Sequence, residues 1–145
     1  MPSRIGLALL TVLLDLGGPA VSGGEGYQVI VNAAAPVGEV ERAEVARFFL
    51  RQSLKWSDGQ AVHPVDQSAR SPVRTAFSRG ILRQPLPAVE NYWRLQIAGG
   101  RAVPPPVKTS DAEVLAFVSS NPGAVGYVSG DLNLTAAVKL LRVTE

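Results

Sequence analysis

Cysteine is absent from the 145 residues. That removes disulfides and thiolate metal sites, and it argues against a lipid-modified cysteine, so a lipoprotein is not expected. Histidine occurs once, as His63. A single imidazole with scattered carboxylates does not assemble a metal centre. Without a serine and an acid placed around it, it does not make a Ser-His-Asp array either. The sequence has no phosphate-cradling loop of the P-loop or dinucleotide type. It has no basic–aromatic motif of a nucleic-acid module, no internal repeat and no low-complexity tract. These absences lead to an expectation of a non-enzyme with no cofactor, no metal and no nucleic-acid partner.

Long apolar runs are also missing, with one short exception. Ile5 to Leu14 reads IGLALLTVLL, too short for a bilayer, which needs about 20 residues. Arg4 precedes this run. Asp15, Gly17, Gly18 and Pro19 break it, and Ala20-Val21-Ser22 follows with small residues. That order is a signal peptide over residues 1–22, with an exported domain over 23–145. A buried N-terminal helix is the alternative, and the Gly-Gly-Pro break is poor chemistry for it.

The net charge is +2, but it is unevenly spread. Between Arg47 and Arg101 the basic residues outnumber Asp58, Asp66 and Glu90 to give about +6. Two readings remain open: a solvated, arginine-rich helical face, or a surface that attracts a small anion.

Apolar periodicity gives the elements. Residues 27–32, YQVIVN, read as a buried strand. Glu41 to Leu50 has helical spacing, with Val45, Phe48 and Phe49 on one face. Trp56-Ser57-Asp58-Gly59 reads as a turn. Residues 61–65 read as a short strand whose Pro64 suits a sheet edge. Pro72 fits the first position of a helix from Ser71 to about Leu82. Pro87 opens another, carrying Val89, Tyr92, Trp93 and Ile97, and Gly99-Gly100 ends it. RAVPPPVK stays extended as a stiff connector. Ser110 and Glu113 form a capping box for a third helix with Val114, Leu115, Phe117 and Val118. AVGYV, 124–128, and Val138 to Val143 are strands. Trp56, Trp93, Phe48 and Phe49 read as core. Alternating strands and helices predict an α/β domain of three layers, a mostly parallel sheet flanked by helices.

Four segments, in order, resemble the phosphate ABC-transporter substrate-binding family. They are ARFFLRQSLKWSDG (46–59), VHPVDQSARSPVRTAF (62–77), Asn91-Tyr92-Trp93, and NPGAVGYV (121–128). The resemblance implies a periplasmic-binding-protein lobe in the periplasm, binding phosphate or a related oxyanion. Family members have two lobes around a cleft, and all four segments belong to the second. The closing-clamshell mechanism therefore does not carry over.

In that family the anion lies at a helix start built from a Ser-Gly-Thr run preceded by an arginine. The matching positions here are Ser71-Pro72-Val73 and Gln67, with Asp66 beside it. The first N–H groups of a helix lack helical partners and its dipole favours negative charge. The candidate anion site is thus the Ser71 hydroxyl, the Val73 and Arg74 backbone N–H groups, the Arg70 and Arg74 guanidiniums, and Gln67. The alternative is a plain capped helix whose arginines face water. A competing function for a lone lobe is a periplasmic interaction or sensory module. It would present its open face to a membrane-protein or sensor-domain partner, or to a second copy of itself as a homodimer. An exposed apolar patch beside Ser71 would favour that reading.

Overall fold

Among the described residues the two five-residue strands are buried at every position, and the rest of the fold is laid around them. A computed structural model describes residues 26–145. The segment expected to be a signal peptide, 1–22, lies outside the described residues. Strand β1 (Gln28–Asn32) is buried at every position. It leads to β2 (Glu39–Glu41) and α1 (Arg42–Phe49). After the Trp56 turn come β3 (His63–Pro64), β4 (Asp66–Gln67) and α2 (Pro72–Phe77), which runs on into a π-helical turn, Ser78–Leu82. Then follow α3 (Leu86–Ala98), β5 (Val107–Lys108), α4 (Asp111–Ser120), β6 (Ala124–Val128), β7 (Val138–Leu140) and β8 (Arg142–Thr144).

The central sheet has the order β3-β6-β1-β7. Three of the five strand pairings are parallel, β3–β6, β2–β8 and β4–β5; β1 runs antiparallel to both β6 and β7. Pro64 sits on the edge strand, where its missing N–H interrupts no ladder. The predicted last strand is in fact two. Val138–Leu140 pairs with β1, Leu141 turns, and Arg142–Thr144 pairs with β2.

Side-chain alternation along β1 and β6 divides the core. Val29, Val31, Val125 and Tyr127 face α1, α2 and α3, in a cluster that includes Phe48, Phe49, Phe77, Trp56 and Trp93. Ile30, Ala124 and Val128 face Val114 and Val118 of α4. The result is three layers, as the sequence pattern predicts. Trp56 is buried and donates its Nε1–H to the Gly123 carbonyl at 3.0 Å. Gly126 is required by the α4 contact, since a Cβ there would lie 2.7 Å from Val65 Cγ1 and 2.9 Å from Val114 Cγ1.

The α4 cap is a shifted capping box. Ser110 Oγ accepts from the Glu113 N–H at 3.2 Å. Glu113 accepts from Thr109, through its N–H at 2.7 Å and its hydroxyl at 2.9 Å, one residue before the position a standard box uses. Those bonds hold the Glu113 carboxyl below its usual range. Ser110→Ala is expected to cost about 1 kcal/mol, read as a lower urea midpoint at unchanged m-value.

Candidate functional site

Ligands of α/β sheets collect beyond the carboxyl ends of the strands. Here β4 ends at Gln67 and leads to the start of α2, while β6 ends at Val128 and leads to Ser129. Between these two exits lies a cleft of about 440 Å³ lined by Gly26, Ser71, Pro72, Val73, Ser129, Gly130 and Asp131. At the opposite end of β6, a smaller, more apolar pocket forms around Trp56, Pro36, Val37 and Pro122, with Asp58 its sole charged residue. The cleft holds the better oxyanion donors.

The predicted site residues divide between the cleft and the layer beneath it. Ser71 and Val73 line the cleft. Ser71 takes the N-cap conformation, φ −78° and ψ 129°, yet its hydroxyl does not cap the helix. It donates instead to Gln67 Oε1 at 3.3 Å. Pro72 occupies the first helical position, as expected. Arg70, immediately before Ser71, is exposed.

Gln67 and Arg74 differ from the sequence expectation in their surroundings. Gln67 is buried, 1% exposed. Its Nε2 donates to Asp111 Oδ1 and to the Tyr127 carbonyl, both at 2.9 Å. Arg74 is buried as well and does not face water. Its Nη1 lies 2.7 Å from Asp66 Oδ1 and 3.0 Å from the Gln67 carbonyl, to which it donates. The Arg74 backbone N–H is also engaged, by the Ser71 carbonyl at 3.1 Å. The helix geometry explains this placement. Val73, Phe77 and Ile81 form the inward face, and Arg74 lies three residues before Phe77 on that same side.

A short hydrogen bond joins the Tyr127 hydroxyl to Asp66, and the Gln67 N–H donates to the same hydroxyl at 3.1 Å. Burial raises the Asp66 carboxyl above its ordinary range, against the pull of the Arg74 cation and the Tyr127 hydroxyl. Burial, and then the Asp66 charge, push the Tyr127 hydroxyl far up, so it stays protonated and donates. This network props the cleft floor rigidly from below.

Sequence reasoning missed the second cleft wall, Ser129-Gly130-Asp131, and the brace behind it. The available signal was the Ser-Gly-Asp turn directly after a buried strand, a usual place for a ligand loop in α/β folds. His63 is exposed, on the edge strand β3. Among the described residues, no cluster of metal-ligating side chains occurs and no helix is long and apolar enough to cross a membrane.

No protein-family model matches the chain, and no curated protein matches it in sequence. Solved structures do resemble it. One is a Clostridium perfringens protein, provisionally assigned as a phosphate ABC transporter substrate-binding protein and solved with bound phosphate. It is 16% identical with a TM-score of 0.64, over 86% of this chain and 47% of its own. An ABC-type phosphate transport receptor from Vibrio cholerae is 21% identical with a TM-score of 0.58, over 86% of this chain and 48% of its own. PstS from Borrelia burgdorferi is 11% identical with a TM-score of 0.61, over 83% and 47%. The chain thus spans about half the length of the solved proteins it matches. At these identities the likeness is one of fold: a mixed α/β unit, consistent with a single lobe of the periplasmic-binding-protein kind.

Proposed function

We propose that this chain is an exported solute-binding module of the phosphate-binding-protein type, taking phosphate or a related small oxyanion in the periplasm. The observation that carries the reading is the cleft between the Ser71–Val73 helix start and the Ser129–Asp131 loop, at the carboxyl ends of the strands. In this reading the Ser71 hydroxyl and the Val73 N–H contact the anion, and Arg70 supplies positive charge from the exposed approach. Gln67 and Arg74 act from below, holding Ser71 and the turn before it. The α2 segment alone is short, but it continues through the π-helical turn to Leu82, so the dipole at Ser71 is that of a longer helical run.

Titration calorimetry of residues 23–145 with phosphate and with sulfate tests this. Saturable heat is expected for phosphate. Ser71→Ala should weaken it roughly 10-fold or more, the worth of a hydrogen bond to a charged group. Ligand at 100 times its dissociation constant should stabilise the fold by about 2.7 kcal/mol. An absence of heat at millimolar phosphate and sulfate would remove the reading.

The interaction-module alternative asks for an apolar patch beside Ser71. Among the described residues the exposed large apolar side chains are Leu54, Leu95, Ile97, Val103, Val107 and Leu140. None of them lines the cleft, which favours the anion over a protein partner at this end of the lobe.

A further inference from the structure

We infer that Asp111 sets the anion affinity of the cleft, because its carboxylate occupies, from within the protein, donors that an incoming oxyanion would use. The inference rests on the anion reading above and names the residue that limits it.

Asp111 opens α4, and a carboxylate at that position usually favours the orphan N–H groups of its own helix. Here Ser110 already caps α4. The Asp111 Oδ1 atom turns sideways instead. It accepts from Gln67 Nε2 at 2.9 Å and from the Ser129 N–H at 3.2 Å. These donors come from separate segments, Ser129 on a cleft wall and Gln67 buried in the layer beneath the cleft. Ser129 lines the second wall. Gln67 lies one hydrogen bond behind Ser71, which lines the first. An amide and a backbone N–H converging on one oxygen is the arrangement that proteins use to hold an oxyanion. The oxyanion held there is the chain's own side chain.

Two consequences follow for a ligand. The Ser129 N–H is already satisfied, so an anion is left with Ser71, Val73 and the charge of Arg70. It also meets like charge, from Asp111 behind the cleft and from Asp131 on its wall. Neutralising or removing the Asp111 side chain relieves the repulsion, and removing it also frees the Ser129 N–H and one Gln67 Nε2 hydrogen, the other remaining on the Tyr127 carbonyl.

The test compares wild type, Asp111→Asn and Asp111→Ala by calorimetry with inorganic phosphate, with folding checked by urea denaturation. Asp111→Ala should bind phosphate at least tenfold more tightly than wild type. Asp111→Asn keeps an acceptor oxygen but loses the charge, so it should fall between them. If Asp111→Ala does not fold, the Asp111→Asn gain alone decides. Equal or weaker phosphate binding in the folded variants, with wild-type binding intact and sensitive to Ser71→Ala, overturns the inference and leaves the anion reading standing. Absence of phosphate binding in wild type and variants alike overturns both. A purely structural role for Asp111 predicts lower stability with no gain in affinity, and that result too counts against the inference.

Discussion

Arg74→Ala should lower folding stability by about 3–5 kcal/mol, the usual result of removing one partner of a buried ion pair. The pair is buried on both sides, with side-chain exposures of 9% for Arg74 and 8% for Asp66. Truncation leaves the Asp66 carboxylate in the core with the Tyr127 hydroxyl and the Gln67 N–H as its remaining partners. It also strips a donor from the Gln67 carbonyl. Adding Asp66→Asn should give some of the loss back, since the orphaned charge goes with it, and a double-mutant cycle would read that coupling. The pH dependence follows from the sign. Asp66 already titrates above its ordinary value in the fold, and without Arg74 it rises further. A raised folded-state pKa favours the fold below the unfolded carboxylate range, and that support is lost as pH climbs through the raised value. The deficit of Arg74→Ala relative to wild type should therefore be smallest in acid and grow toward neutrality. Urea midpoints across that range would check it, and a flat deficit would contradict the buried-pair account. Arg74→Ala is for the same reason a poor probe of anion contact, because its folding effect would mask any change in binding.

Phe77→Ala should be comparably severe, at about 3–5 kcal/mol. The Phe77 ring stacks on Tyr127, with centroids 3.8 Å apart and planes within 5°. It also meets Phe49 at 4.7 Å and Tyr27 at 5.9 Å, edge to face. It thus joins α1, α2, β6 and the residue before β1 in one aromatic cluster. Removing it opens a cavity that rigid neighbours cannot close, and it frees Tyr127, whose hydroxyl holds Asp66 in place. Phe77→Leu keeps much of the volume and should lose markedly less. Loss of near-UV dichroism together with an early thermal transition would register the change. Equal stability of Phe77→Ala and wild type would show that the cluster repacks.

Much of this fold is legible in the sequence where burial leaves a periodic trace. YQVIVN and AVGYV are rich in β-branched and apolar residues and are the two central strands. Val45, Phe48 and Phe49 mark the inner face of α1, and Ser110 with Glu113 marks the start of α4. What stays hidden has no such trace. Strands β4 and β5 are two residues each, too short to show alternation, and tertiary pairing alone makes them strands. The split at Leu141 does leave a trace: the Leu140-Leu141 doublet breaks the alternation from Val138 to Val143 at the point where the partner changes from β1 to β2. In the candidate site, Ser71 and Val73 are found from the helix-start chemistry. Arg74 is expected either to offer its guanidinium to an anion or to face water, because arginine is seldom buried, and the fold pairs it with Asp66 instead. Its position among Val73, Phe77 and Ile81 was the contrary sign. Asp111 and Ser129 are beyond sequence reasoning, since only the folded chain brings them beside Gln67.

The placement of β1 has a kinetic corollary. The first strand among the described residues becomes an inner strand of the sheet, and both of its neighbours lie far along the chain from it. Pairings so distant along the chain make assembly slow. The central sheet is therefore complete only once β6 and β7 have docked on β1, and until then all three strands lack the partners that protect their backbone N–H groups.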